Sequence, residues 1–151
     1  SEDGVRPQSG IITGKGIIGV INSVGRHYSY GLTLMNPNVT ISTKTGRDGI
    51  TAPMTWDGLS SDGAVLTDIP PHFRIEPGDT VWTSGFSSMF PEGIAVGVTG
   101  SSRLVDGSNQ HVEVRLFQDF NSAHYVTVTR NMDLEEIQKL EDNAASEEAV
   151  R

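Results

Sequence analysis

The feature that most constrains this chain is the way glycine and proline cut it into short pieces. Its 151 residues hold 17 glycines and 7 prolines, dispersed and without period. Only glycine takes positive φ at little steric cost, so this density demands many tight turns and favours short strands over long helices. Turn signals stand at Asn36-Pro37-Asn38, Asp57-Gly58, Asp62-Gly63 and Glu76-Pro77-Gly78-Asp79, and Pro70-Pro71 interrupts any regular element.

Between these marks the residues are β-branched or aromatic and tend to alternate with period two. Ile11-Ile12, residues 16–24 and residues 28–34 read as strands, with Gly25-Arg26-His27 as a hairpin connection. Residues 39–45 follow. A second block starts near Gly46 and contributes residues 50–56, 64–67, 80–83, 94–99, 111–117 and 125–129. Nine or ten short strands at this spacing are the pattern of a small barrel or sandwich, so the expected fold class is all-β. Only the end reads helical. Asp133 stands in N-cap position with Glu136 in capping-box register, and Leu134, Ile137 and Leu140 share a face before Glu141-Asp142-Asn143 stops the pattern. Disorder is expected after Ala144.

Charge is unevenly placed. Of the net −8, the last 21 residues carry −5, with seven acidic residues against Lys139 and Arg151. The body is nearly neutral and offers no cationic face, which argues against a nucleic-acid partner. There is no cysteine, so disulfides and thiolate chemistry are excluded. No stretch approaches the roughly 20 apolar residues of a membrane span. Ser1-Glu2-Asp3-Gly4 has none of the marks of a signal peptide, and the expectation is a fragment or processed chain whose membrane anchor lies outside it.

Little in the sequence points to catalysis, a cofactor or a metal. His27, His72, His111 and His124 show no metal-ligand spacing, although His111 and His124 face each other if residues 111–117 pair with 125–129. Gly14-Lys15-Gly16 lacks the spacing of a phosphate loop, and Asp57, Asp62 and Asp68 lack that of a calcium loop and read as turn formers. Ser84-Gly85 is the nearest thing to a nucleophile loop, with His27 or His72 as the base of a serine protease, but the flanking residues such proteases use are missing. Residues 86–94 are different in kind. Phe86, Met89, Phe90, Pro91 and Ile94 bring large apolar surface into a loop, where it serves either to plug a barrel end or to meet a partner.

The run Gly78-Asp79-Thr80-Val81-Trp82-Thr83-Ser84-Gly85, then Phe90-Pro91-Glu92-Gly93-Ile94 and Val96-Gly97, resembles the MreC family segment G-D-x-V-x-T-S-G-x-x-x-x-F-P-x-G-x-x-V-G. Gly78, Asp79, Ser84, Gly85, Gly93 and Gly97 are its structural positions. Ser1 to Val5, Gly10-Ile11-Ile12 and residues 16–21 are similar to the family's entry into its first β unit, so the resemblance covers about residues 1–130. It implies two small β-barrel-like units in the double-barrel arrangement of chymotrypsin-like proteases, without their activity, followed by a short C-terminal helix. The expected division is residues 1–46 and residues 47–130, with strands open to sharing between these two units, and an acidic helical or disordered tail, residues 131–151.

The resemblance further implies a non-enzymatic scaffold of the cell-wall elongation machinery. Such a scaffold is extracytoplasmic or periplasmic and is tied to the cytoplasmic membrane through an N-terminal anchor. Its implied partners are itself, a penicillin-binding protein transpeptidase, MreD and RodZ, and indirectly MreB. A degenerate serine protease is the alternative from another class. A peptidoglycan-binding module ranks behind both, since aromatics are 7% of residues and no exposed aromatic platform is readable.

Overall fold

The computed structural model describes residues 2–86, 89–130 and 133–150, the helical positions 133–139, 141 and 150 by their backbone alone. Among these described residues ten strands form two units. A four-stranded sheet with order β10-β1-β2-β3 is built from β1 (Gly10–Ile12), β2 (Ile17–Val24), β3 (Ser29–Thr33) and β10 (Thr127–Val128). Strands β4 (Ile41–Thr45), β5 (Ile50–Trp56), β6 (Gly63–Ile69), β7 (Thr80–Thr83), β8 (Ala95–Val105) and β9 (Asn109–Leu116) close a barrel in the order β4-β5-β6-β9-β8-β7. All pairings are antiparallel.

The sheets divide before β4, not at residue 46. Residues 39–45, expected in the first unit, give β4, which pairs with β5 along its whole length and with β7 at Thr43↔Thr83 and Lys44↔Trp82. The turn at 46–49, with Gly46 and Gly49 at φ of 79° and 65°, makes β4 and β5 an immediate hairpin, so both must lie in one sheet. The first sheet is completed instead from the far end of the chain, by β10 on β1 (Ile11↔Val128).

The barrel fills by alternation. Val112, Val114 and Leu116 of β9 face inward while Glu113 and Arg115 face out, and β4, β6 and β7 repeat the pattern with Ile41, Leu66 and Val81 inside. Four buried threonines sit among them. Thr43 donates to the Ala52 carbonyl (2.8 Å), Thr45 to Thr80 (3.0 Å), Thr83 to Pro91 (2.7 Å) and Thr99 to Glu76 (2.7 Å). Burial without such partners would cost on the order of 1–3 kcal/mol each. One apolar cluster runs through both units, joining Ile17, Val20 and Leu34 to Met54, Leu66, Val81 and Phe90.

Three readings shift at strand and helix ends. β8 continues past Thr99 to Val105 through a register shift between Thr99 and Ser102, and pairs with β9 as a long hairpin closed at Asp106-Gly107. Of the added residues only Leu104 and Val105 are apolar, and they are adjacent, so the segment carried no alternation. Residues 111–117 and 125–129 do not pair, because β9 belongs to the barrel and β10 to the other sheet; His111 and His124 are not brought together. The helix α1 (Asp133–Val150) runs past the expected stop at Asn143. Ala144, Ala145, Glu147 and Glu148 are strong helix formers with no Gly or Pro among them.

Candidate functional site

Residues 84–94 join β7 to β8, and Thr83 fixes both ends of that loop. Its backbone N–H donates to Ile94 O (2.8 Å) and its carbonyl accepts from Gly93 N (3.0 Å). Its hydroxyl accepts from Ile94 N (2.8 Å) while donating to Pro91 O. Ser84 adds a second tie. Its N–H donates to Ser42 O (3.1 Å), its hydroxyl donates to the Ser42 hydroxyl (2.7 Å), and Oγ accepts from Phe86 N (3.2 Å). The side chain is buried and its oxygen is occupied by structural bonds, so the geometry gives Ser84 the work of holding the loop on β4. Gly85 and Gly93 turn the chain at φ of 78° and 89°. At Gly85 a Cβ would stand 2.8 Å from that of Glu92, so a side chain is excluded on two grounds.

The apolar residues of the loop separate into two groups. Phe90 is 1% exposed and belongs to the core, with Met89 and Ile94 half-buried against it. Phe86 is 81% exposed, and Pro91 is exposed beside it. The expectation that Phe90 contacts a partner is therefore corrected: its ring closes the gap between barrel and sheet, and a ring without accessible surface has nothing to present. The gap it closes is narrow. A Cβ on Gly10 would lie 2.5 Å from the Phe90 ring, and Gly10 N donates to both Met89 O (2.9 Å) and the Thr129 hydroxyl (2.9 Å). Thr129 in turn donates to Met89 O (2.9 Å). Gly10, Met89, Phe90 and Thr129 form the joint between the units.

Around Phe86 the surface is a cleft of about 810 Å³ bounded by Lys44, Thr51, Phe86, Pro91, Glu92 and Arg130. Lys44 Nζ is paired with Glu92 Oε1 across it. The Lys44 ammonium, through that hydrogen bond and its charge, holds the Glu92 carboxyl below the usual carboxylate range against a small opposing effect of desolvation. An exposed aromatic ring is a residue type enriched in protein interfaces, and polar side chains surround such rings at an interface rim.

Two further features had no sequence signal specific enough to single them out. Tyr28 and Tyr30, 87% and 62% exposed, stand at the start of β3, which is an edge of its sheet. Their alternation marked a strand, but edge position is a matter of strand order. Trp82, 40% exposed, lies on the outer face of β7 between the buried Val81 and Thr83. Among the histidines, His72 packs its ring on Phe73 at 4.4 Å, and His27 and His124 are exposed. Among the described residues no three His, Asp or Glu side chains gather to hold a metal.

Residues 1–130 match the family described as "Rod shape-determining protein MreC, barrel core". The cell shape-determining protein MreC of Cereibacter sphaeroides is 31% identical over 137 residues, which is 91% of this chain and 43% of that protein. The chain thus spans less than half the length of that relative. The crystal structure of MreC from Pseudomonas aeruginosa shares the fold with a TM-score of 0.76 at 22% identity, over 85% of this chain and 83% of that one. A structure described as a complex between penicillin-binding protein (PBP2) and MreC from Helicobacter pylori matches with a TM-score of 0.66 at 19% identity, over 82% of this chain and 78% of that one.

Proposed function

Since this chain belongs to the MreC family of rod shape-determining proteins, we propose that it acts as a non-enzymatic scaffold of cell-wall elongation, working in the periplasm and holding a penicillin-binding protein. The Helicobacter pylori relative's complex with PBP2 supports that choice of partner. The observation that carries the reading is the divided loop. Phe90, locked in the core, and Thr83, bonded at both loop ends, leave Phe86 exposed on a rigid base. A preorganised aromatic loses little entropy on binding and is a common interface anchor. The same reading extends, in the whole protein, to self-association and to coupling through MreD and RodZ to MreB. Phe86, Met89, Pro91 and Ile94 are the residues assigned to the contact, with Phe86 and Pro91 outermost.

The test is sedimentation equilibrium of this chain, alone and with the ectodomain of an elongation-type penicillin-binding protein. A mixed complex is expected, weakened about tenfold or more by Phe86→Asp, while the circular dichroism of the variant stays unchanged. Absence of any complex overturns the partner assignment. A complex indifferent to Phe86→Asp places the interface elsewhere on the surface.

A further inference from the structure

Trp82 occupies a position that the family motif leaves open, and its surroundings are those of a ligand site. It opens into a cleft of about 630 Å³ on the outer wall of the barrel, together with Arg47, Asp48, Arg74 and Glu76. Two rigid turns bring these residues to it. Arg47 and Asp48 are the apex of the β4–β5 turn, closed by Gly49 N to Gly46 O (3.2 Å). Arg74 and Glu76 lie in the β6–β7 connection, which is tied down from beneath. The buried Gln110 side chain donates to Pro70 O (3.0 Å) and Phe73 O, Ile75 is buried, and Thr99 donates to Glu76 O. Asp79 accepts from Glu76 N (3.3 Å) and is thereby committed to the turn.

The charges in this cleft are not paired with one another. Among the described residues neither Arg47 nor Arg74 makes an ion pair or hydrogen bond, although the carboxylates of Asp48 and Glu76 line the same space. The site thus offers an indole surface, two free guanidinium forks and free carboxylate oxygens on a fixed frame. A planar fork binds a carboxylate with two parallel hydrogen bonds, and free carboxylates accept hydroxyl protons. An indole packs against an apolar ring face. A sugar carrying a carboxylate is the ligand class that uses all three, because a pyranose has an apolar C–H face and a hydroxyl rim. A volume of this size takes one or two such rings.

We propose that the Trp82 cleft binds a carboxylate-bearing pyranose, with the indole under the ring, Arg47 and Arg74 on the carboxylate, and Asp48 and Glu76 on the hydroxyls. The site lies on β7 and its flanking turns, apart from the Phe86 loop, and is independent of the scaffold reading. It supplies an aromatic platform of the kind the sequence did not reveal.

The test uses the whole chain and three probes: N-acetylmuramic acid, which has ring and carboxylate; N-acetylglucosamine, which has the ring alone; and lactate, which has the acid alone. Binding is read by amide shifts in ¹⁵N-resolved spectra. Saturable shifts with the first probe at residues 46–48, 74–76 and 82 are expected. The other two are expected to bind at least about tenfold more weakly, N-acetylglucosamine through loss of the charge-assisted carboxylate contacts and lactate through loss of the ring face on the indole. Arg74→Gln and Trp82→Ala should each raise the dissociation constant of N-acetylmuramic acid about tenfold or more at unchanged urea midpoint. If Trp82→Ala lowers the midpoint, Arg74→Gln, which alters an exposed side chain, still decides. No saturable shift with the first probe overturns the proposal. So does binding of N-acetylglucosamine or lactate as tight as that of N-acetylmuramic acid, since the cleft is then a neutral-sugar or plain anion site. Shifts confined to other residues overturn the placement.

Discussion

Gly10→Ala tests whether the Gly10–Phe90 contact is a packed joint between sheet and barrel. The added methyl would meet the Phe90 ring at 2.5 and 2.6 Å and the Met89 carbonyl oxygen at 2.7 Å. The ring is 1% exposed and has nowhere to turn, and the oxygen is backbone. Overfilling such a site costs about 1–3 kcal/mol. The upper end applies here, because moving Gly10 away also stretches its 2.9 Å bond to Met89 O, which is worth about 1 kcal/mol. A loss of about 3 kcal/mol lowers the Tm of a domain this size by roughly 6–12 °C. Phe90→Leu alone costs about 1.5 kcal/mol. In the double variant the ring contacts disappear while the contact with Met89 O persists, so rescue is partial. The total should be about 3 kcal/mol rather than the additive value of about 4.5, a coupling within the range for touching residues. Urea unfolding followed by Trp56 and Trp82 fluorescence, at constant slope, measures all three variants. A neutral Gly10→Ala, or strict additivity in the pair, refutes the joint.

Thr129→Val keeps the shape of the side chain but removes the hydroxyl that links Gly10 N to Met89 O; a loss of about 1–2 kcal/mol is expected in the urea midpoint. Gly97→Ala sets a methyl 2.4 Å from the Arg115 carbonyl oxygen on the neighbouring strand. Since backbone must give way, about 3 kcal/mol is lost, and hydrogen exchange should show β8 and β9 amides around 97 and 115 losing protection. The lowered pKa of Glu92 makes its contribution present above the unfolded carboxyl value of about 4.3. That contribution fades as pH falls through the folded value. Glu92→Gln should therefore flatten the acid limb of the Tm–pH curve below about pH 4.3, and about 1 M salt should remove the difference between variant and wild type.

The sequence by itself located nearly every strand, because side chains on a pleated chain alternate with period two and because Gly, Pro, Asn and Asp mark where it must turn. It also marked residues 86–94 as unusual and carried the family pattern through Gly78, Gly85, Gly93 and Gly97, positions where turning or close approach excludes a side chain. Strand order was beyond it. Alternation says which residues share a face but not which strand lies beside another, so the place of β4 in the barrel was not legible. Nor was the return of the chain end, where Thr129 bonds Gly10 across 119 positions. The site divided on the same line. Phe86 and Phe90 are the same residue type in one loop without a period, and only packing against Gly10 decides that Phe90 goes in and Phe86 stays out. Trp82 read as one more strand residue until two turns, about 35 and 8 positions upstream, placed Arg47 and Arg74 beside it. Local sequence fixes what each segment is; long-range contacts, which form only when the core closes, determine what it faces.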